Sequence, residues 1–393
     1  MLINRWFILG VLFVARFALG FQFQSTGSVT PFMVEDFGVD YTEIGTLVGL
    51  YMIPGLFLAV PSGFIGRRFG DKRIVLAGLA LMVVGGVIAG AADGYSVLVA
   101  GRLMSGAGAA LLFVLMTKML TDWFADKELF IGMSIFIVGW PIGIAAGQSV
   151  QASIAEASSW NVVFYLTALG CAVAFLAIWA LYRTPPNAGD GTAGRFAALD
   201  RRELLLVMIA GLVWMCINGA YLVLLSFGPI FLHENGTSFA TAGRVVSLMS
   251  WVFLFSLPLG GYLATRLRVP NMVMFTGLAG TIVSGGLILY TDMPFVAFAL
   301  FGILCAACVP VIATLPVEVL RPETRGPGLG IYYLWYFAGS AFMPVVAGYL
   351  KDVTGTAASS VLFGVAMMVA TLILVGLFRV AQAYIPVRVE PDA

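Results

Sequence analysis

Long apolar runs alternate with short polar breaks along the whole chain. Each run has roughly 18 to 26 residues, which is the length that a helix needs to cross about 30 Å of hydrocarbon at about 1.5 Å per residue. The pattern predicts an all-α membrane protein with twelve transmembrane helices. The predicted spans are 6–32, 43–65, 74–92, 96–120, 130–153, 161–182, 204–231, 241–265, 271–290, 294–318, 328–350 and 359–382.

One polar connection is longer than the others, and it follows the sixth predicted span. It predicts three parts of the chain: an N-terminal six-helix bundle over 1–182, a cytoplasmic linker over 183–203 and a C-terminal six-helix bundle over 204–393. A weak internal repeat agrees with two pseudo-symmetric bundles, because Gly63–Arg68 after the second span has a counterpart in Gly261–Arg266 after the eighth.

The composition supports a membrane location, because only 10% of the 393 residues are charged and 61% are hydrophobic. An average soluble domain is about 25% charged. The lipid bilayer is therefore the expected solvent and partner of the protein. The net charge is +1 and the chain has no basic run of the kind that binds nucleic acid, so a nucleic-acid partner is excluded.

Basic residues concentrate in alternate loops, which predicts the orientation of the chain, since loops rich in Lys and Arg stay in the cytoplasm. If both termini are cytoplasmic, the outer loops and helix ends hold only Arg244 and Lys351. The inner loops and helix ends then hold Arg67, Arg68, Lys72, Arg73, Lys118, Lys127, Arg183, Arg195, Arg201, Arg202, Arg266, Arg268, Arg321 and Arg325. We expect a multi-pass protein of a bacterial inner membrane with both termini in the cytoplasm.

Three glycine-rich motifs stand on or beside the predicted helices. Gly63–Arg73 follows the second span, Arg102–Ala110 lies in the fourth and Gly139–Gly143 lies in the fifth. Together they resemble the motifs of the major facilitator superfamily, although the acidic residue of the first motif stands at Asp71 rather than at the Arg67 position. The resemblance implies two bundles around a central cavity that opens alternately to either side of the membrane, with the substrate near the midplane.

Two arginines lie inside predicted spans, where an ionisable side chain costs about 2.5 to 3.5 kcal/mol. Arg16 stands close to the middle of the first span and Arg102 in the outer half of the fourth, and no Asp or Glu is centred in any span. A guanidinium forms bidentate bonds to carboxylates and oxyanions. The resemblance implies that both helices line the cavity, so the two arginines are candidates for an anion site. The alternatives are that Arg102 binds carbonyls at helix ends and that Arg16 makes a buried structural bond.

Polar and aromatic residues within the spans are weaker candidates for shaping the same pocket. Gln24 follows Arg16 by eight residues, which places it on the same helix face. For each aromatic residue, ordinary packing or contact with lipid is an alternative. The further candidates are Tyr51, Asn218, Tyr221, Trp251, Tyr333 and Tyr336.

The sequence contains no catalytic or metal-binding pattern. The one histidine, His233, falls in a loop, and the four cysteines fall in apolar stretches, where packing explains them. Cys305 and Cys308 have the spacing of a metal-binding pair, but no second pair completes a four-ligand site. We therefore predict no metal, no cofactor and no enzyme, and the lack of a phosphate-binding Gly-Lys-Ser/Thr loop argues against an ATP-driven pump.

These features predict a monomeric secondary transporter for a small anion, inorganic or carboxylate. The paired arginines resemble those of the organic-anion and cyanate-type branches of the superfamily. Ala109 and Ala110 stand where proton-coupled organic-anion members have an acidic residue, so anion exchange or uniport is favoured over proton symport. Two alternatives are open: a drug or metabolite exporter of the same fold, and a non-transporting membrane sensor or scaffold.

Overall fold

A computed structural model describes residues 4–124, 129–185, 198–321 and 324–384, so that 186–197 of the predicted linker lie outside the described residues. The described residues form sixteen α-helices and no β-strand. The helices are Arg5–Phe23 (α1), Ser25–Ser28 (α2), Thr30–Phe37 (α3), Tyr41–Leu50 (α4), Ile53–Phe69 (α5), Asp71–Gly90 (α6), Tyr95–Trp123 (α7), Leu129–Ala157 (α8), Trp160–Leu181 (α9), Arg201–Glu234 (α10), Phe239–Trp251 (α11), Phe253–Arg266 (α12), Pro270–Tyr290 (α13), Pro294–Thr314 (α14), Arg325–Thr354 (α15) and Ala358–Tyr384 (α16).

The described helices include twelve segments that are long and apolar enough to cross a membrane, which confirms the predicted all-α fold. Nine spans are single helices. The first span consists of α1 to α3, the second of α4 and α5, and the eighth of α11 and α12. The predicted spans 6–32, 43–65 and 241–265 are therefore present, but each is interrupted.

Proline accompanies two of these interruptions. Pro31 is the second residue of α3, and Pro54 is the second residue of α5. Proline has no backbone N–H, so it cannot donate to the carbonyl four residues before it. At both positions the regular hydrogen-bond ladder of the span is lost, and a new helix begins.

The first span is also broken at Gln24, and hydroxyl groups satisfy part of the backbone there. Ser25 Oγ donates to the Gln22 carbonyl at 2.7 Å, and Thr30 Oγ1 donates to the Thr26 carbonyl at 3.1 Å. A backbone carbonyl within the bilayer needs a partner inside the protein, because lipid offers none. These short polar side chains therefore stabilise the irregular backbone.

The chain before residue 183 is called the N-terminal half here, and the chain from residue 198 onward the C-terminal half. In the N-terminal half α6 packs against α7 and α9, and in the C-terminal half α10 packs against α15 and α16. Glycine allows the closest of these approaches, since a Cβ added at Gly108 of α7 would overlap the carbonyl oxygen of Gly78 in α6. Small residues at helix contacts are the usual basis of packing in membranes.

Charged residues at the start of α6, directly after the second span, bind two later spans. Asp71 forms an ion pair with Lys118 of α7. Lys72 Nζ donates to the carbonyls of Trp179 and Tyr182 at 2.9 and 2.8 Å, at the end of α9. The acidic residue at the shifted position of the motif therefore binds the fourth span, and its neighbour binds the end of the sixth.

The two halves meet toward the far end, by which we mean the membrane side remote from residues 4 and 384. There α4 packs against α15, and α8 packs against α11. A Cβ added at Gly45 or Gly49 of α4 would overlap the carbonyl oxygen of Pro344 or Ala341 in α15, so the backbones of the two halves touch. The described hydrogen bonds between the halves all lie between the level of Arg16 and the far end.

Candidate anion site

Arg16 of α1 is buried, with 8% of its surface exposed. Its Nε and Nη1 atoms have no hydrogen-bond partner among the described residues. None of the described ion pairs includes this side chain. Within the described part of the chain, the guanidinium therefore brings a positive charge and free donors into the membrane without a counter-anion.

Aromatic rings from two neighbouring helices lie next to this guanidinium. Its Cζ atom is 4.4 Å from the ring centre of Phe113 in α7 and 5.1 Å from that of Phe136 in α8. A ring face stabilises a nearby cation by about 0.5 to 2 kcal/mol. Gly139 provides the space, because a Cβ there would lie only 3.1 Å from Cβ and Cγ of Arg16. The rings hold the guanidinium in place but do not neutralise its charge.

Tyrosines bring the C-terminal half to the same site. Tyr333 and Tyr336 of α15 interact electrostatically with Arg16, and the ring of Tyr336 is 6.4 Å from that of Phe113. Tyr333 is half exposed, and Tyr221 of α10 is buried and interacts with Tyr336. The structure therefore places Tyr333 and Tyr336 near Arg16, and Tyr221 near Tyr336.

Arg102 of α7 has a different environment, in which its donors are used. It is 1% exposed, and its Nε donates to the Leu47 carbonyl at 3.0 Å. Its Nη1 donates to the Gln22 carbonyl at 3.4 Å, and its Nη2 donates to the Phe23 carbonyl at 3.3 Å. Gln22 and Phe23 come directly before the break at Gln24, where the regular hydrogen bonds of α1 end. The geometry is that of an arginine that binds carbonyls at helix ends.

A row of aromatic rings separates the two arginines. It runs from Arg16 to Arg102 through Phe113, Trp140, Phe23 and Tyr51, with successive distances of 4.4, 4.9, 5.2, 5.5 and 4.6 Å between guanidinium carbons and ring centres. The hydroxyl of Tyr51 donates to the Leu19 carbonyl at 3.4 Å. Phe23 is about 10 Å along α1 from Arg16, so the structure does not bring the two guanidiniums together.

Gln24 belongs to a contact between the halves rather than to the surroundings of Arg16. Its Nε2 donates to Oε1 of Gln148 in α8, and Gln148 Nε2 donates to the Leu225 carbonyl of α10 at 3.3 Å. Both glutamines are buried. The bridge joins the first, fifth and seventh spans about 12 Å farther along the first span than Arg16.

Asn218 and Trp251 also use their polar atoms within the protein. Asn218 Nδ2 donates to the Trp214 carbonyl of its own helix at 2.8 Å. Trp251 Nε1 donates to Ser149 Oγ of α8 at 3.2 Å, across the two halves. Neither bond reaches Arg16, so nothing in these contacts adds a ligand to the candidate site.

Sequence reasoning missed Phe113, Phe136 and Gln148. The two phenylalanines stand in apolar runs, and nothing distinguishes them there from the rest of the 30 phenylalanines. Gln148 could have been found from the sequence. Like Gln24, it is an amide inside a predicted span, and an amide is costly to bury without a hydrogen-bond partner. In the described ranges no three His, Cys, Asp or Glu side chains lie close enough together to hold a metal ion.

Twelve spans, a contact between two halves and a buried arginine that has no counter-anion among the described residues are features of a membrane carrier. The family model of the Major Facilitator Superfamily matches residues 12–234 and, a second time, residues 204–390. The chain belongs to this superfamily. Its members are secondary transporters, so this protein is a multi-pass membrane transporter.

Individual members of the superfamily show similarity over most of the chain. The protein is 22% identical over 360 residues to the 3-(3-hydroxy-phenyl)propionate transporter of Escherichia coli (strain K12), with 88% of each chain covered. It is 23% identical over 389 residues to a probable sulfoacetate transporter of Cupriavidus necator, which covers 90% of this chain and 89% of that protein. Both relatives are named as transporters of organic acids.

A solved structure shares the fold. It is a bacterial homolog of the human lysosomal transporter Spinster, in an inward-facing and occupied conformation, with a TM-score of 0.78 and 17% sequence identity. The alignment covers 97% of each chain. The likeness extends over nearly the whole of both chains, so the two proteins share a fold.

Replacing each buried arginine by methionine distinguishes their environments. Arg102→Met removes one hydrogen bond from each of the carbonyls of Leu47, Gln22 and Phe23, so we expect a loss of about 3 kcal/mol in the free energy of unfolding. Arg16→Met breaks no described hydrogen bond and removes a buried charge, so we expect no loss or a gain. The measurement is thermal unfolding of both purified variants without added ligand. Equal destabilisation by the two substitutions would contradict this difference.

Proposed function

We propose that the protein transports a small organic acid with a single negative charge, and that Arg16 binds this charge. The observation that supports the proposal most strongly is the buried guanidinium, whose Nε and Nη1 atoms have no hydrogen-bond partner in the described part of the chain. A carboxylate or sulfonate offers two oxygens to such donors and forms charge-assisted hydrogen bonds. Arg102 is not part of this proposed site, because its donors are bound to backbone carbonyls.

The charge of the site supports a monoanion. A single uncompensated charge within the membrane is costly, and one bound negative charge cancels it. A dianion would leave a net charge of opposite sign in the same place. Monocarboxylates and monosulfonates therefore fit the site better than dicarboxylates or phosphate.

The walls of the site support an organic anion over an inorganic one. Phe113 and Phe136 come from the N-terminal half, and Tyr333 and Tyr336 come from the C-terminal half. Aromatic walls bury the carbon body of a ligand, while a few polar groups fix its orientation. The names of the two relatives, which refer to hydroxyphenylpropionate and sulfoacetate, support the same class of substrate.

The contact between the halves supports alternating access. We propose that the bundles 1–182 and 204–393 rock about the site and are joined by the linker 183–203. The distribution of Lys and Arg supports cytoplasmic termini, which makes the far end the outer side. The described structure is then closed to the outside and corresponds to an inward-facing monomer in a bacterial inner membrane.

The same charge favours exchange over uniport. When the substrate leaves, Arg16 has no counter-anion among the described residues, so the empty transporter must reorient with an uncompensated charge. The loaded transporter avoids that cost. Among the described residues, no Asp, Glu or His interacts with Arg16 and could take up a proton together with the substrate. This argues against proton symport.

A ligand panel tests the class of substrate and the role of Arg16. We expect benzoate or 3-phenylpropionate, at about 100 times its dissociation constant, to stabilise the purified protein by about 2.7 kcal/mol in thermal unfolding. Phthalate, a dianion, and chloride are expected to give a smaller effect. Arg16→Met removes the stabilisation, whereas Arg244→Met, at an exposed arginine, retains it. Stabilisation by cationic or neutral lipophiles that persists in Arg16→Met would favour an exporter instead.

Proteoliposomes test the mode of transport. With a radiolabelled monoanion that stabilises the protein, we expect uptake into vesicles preloaded with the same anion to exceed uptake into empty vesicles by at least about tenfold, because the empty return step is slow. Equal rates in loaded and empty vesicles would indicate uniport. Uptake that rises steeply at low external pH without a change in substrate ionisation would indicate proton symport.

A further inference from the structure

A carboxylate of the C-terminal half caps a helix of the N-terminal half at the far end. Asp352 lies in the last turn of α15. Its Oδ1 accepts the backbone N–H of Tyr41 at 3.0 Å, and its Oδ2 accepts the backbone N–H of Thr42 at 2.7 Å. These two residues begin α4, where the first N–H groups have no intrahelical partner.

A second carboxylate makes the reciprocal contact. Glu156 lies in the last turn of α8, in the N-terminal half. Its Oε1 accepts the backbone N–H of Ala240 at 3.2 Å, and Ala240 is the second residue of α11 in the C-terminal half. In both contacts the carboxylate ends one span and caps the start of a span in the opposite half.

The two capped helices also have caps of their own at the following residue. The Asp40 side chain accepts the backbone N–H of Glu43, the third residue of α4. The Ser238 side chain accepts the backbone N–H of Thr241, the third residue of α11. Each helix therefore caps its third N–H from its own half and has its second N–H capped from the other half.

The backbone packing next to the Asp352 contact has a defined spacing. Gly45 stands three residues after Thr42, and a Cβ there would overlap the carbonyl oxygen of Pro344. Pro344 stands eight residues before Asp352.

The same spacing occurs at the Glu156 contact. Gly243 stands three residues after Ala240, and a Cβ there would lie 2.8 Å from the carbonyl oxygen of Gln148. Gln148 stands eight residues before Glu156. The same arrangement therefore occurs twice, with the roles of the two halves exchanged: a carboxylate caps a helix of the opposite half, and three residues later a glycine of that helix packs against a backbone carbonyl.

From this duplication we propose that Asp352 and Glu156 form a pair of latches that hold the far end closed and must both release before it opens. A carboxylate at a helix N-terminus benefits from charge-assisted hydrogen bonds and from the helix dipole. Separation of the halves breaks these bonds at both sites together. The proposal concerns the movement of the halves and does not depend on the substrate.

Distance measurements on spin labels test the latches. The labels are attached to Asp93→Cys and Asp292→Cys, exposed positions at the far end of the two halves and away from the latches, after the four buried cysteines are replaced by alanine. The test variant combines Asp352→Asn with Glu156→Gln and so lacks both carboxylates. In this variant we expect the ratio of long to short distances between the two labels to rise by about tenfold or more.

The matched control is Asp40→Asn. It removes the same charge at the start of the same helix, but Asp40 caps its own half. We expect its distance distribution to match that of the unmodified protein. If the double variant does not fold, Ala240→Pro removes the donor instead, since proline is tolerated in the first turn of a helix. Unchanged distances in the folded latch variants, or an equal shift in Asp40→Asn, would overturn the proposal.

Discussion

A bilayer supplies no hydrogen-bond partners, so every backbone group that leaves a regular helix must find a partner inside the protein. The first span leaves regular helix at Gln24, and the guanidinium of Arg102 supplies several of the donors that this break requires. It binds the carbonyls of Gln22 and Phe23 in the first span and that of Leu47 in the second. The first, second and fourth spans are fixed to one another in this way. Arg16 lies before the break in the first span. Gln24, at the break, takes part through Gln148 in the polar contact with the other half.

Arg16 and Arg102 have the same chemistry and opposite environments. The donors of Arg102 are bound, while Nε and Nη1 of Arg16 are free among the described residues. In the proposed site, an anion bound at Arg16 lies near Tyr333 and Tyr336 of α15, so it links the halves near the middle of the membrane. The carboxylate of Asp352 links them at the far end. In this scheme the halves are joined in two ways during transport. The bound substrate joins them at the centre, and the hydrogen bonds of the protein itself join them at the far end.

The sequence was sufficient to predict the spans, since run length alone separates a membrane helix from other elements. It did not predict the breaks, because proline is not diagnostic of them: Pro54 begins α5, whereas Pro141 lies inside the continuous helix α8. Arg16 could be found, because a charge within a span is rare. Bonds from Arg102 to carbonyls at helix ends were one of two alternatives from the sequence, but the particular carbonyls could not be predicted, because every residue has one and only the tertiary structure selects among them.

The most direct test of the proposed site is a structure of the protein bound to 4-bromobenzoate. We expect the carboxylate within hydrogen-bond distance of Nε or Nη1 of Arg16, and the brominated ring packed against the aromatic side chains beside Arg16. The bonds of Arg102 to its three carbonyls should be unchanged. A carboxylate bound at Arg102, or a ligand bound without contact to Arg16, would contradict the assignment of the anion site.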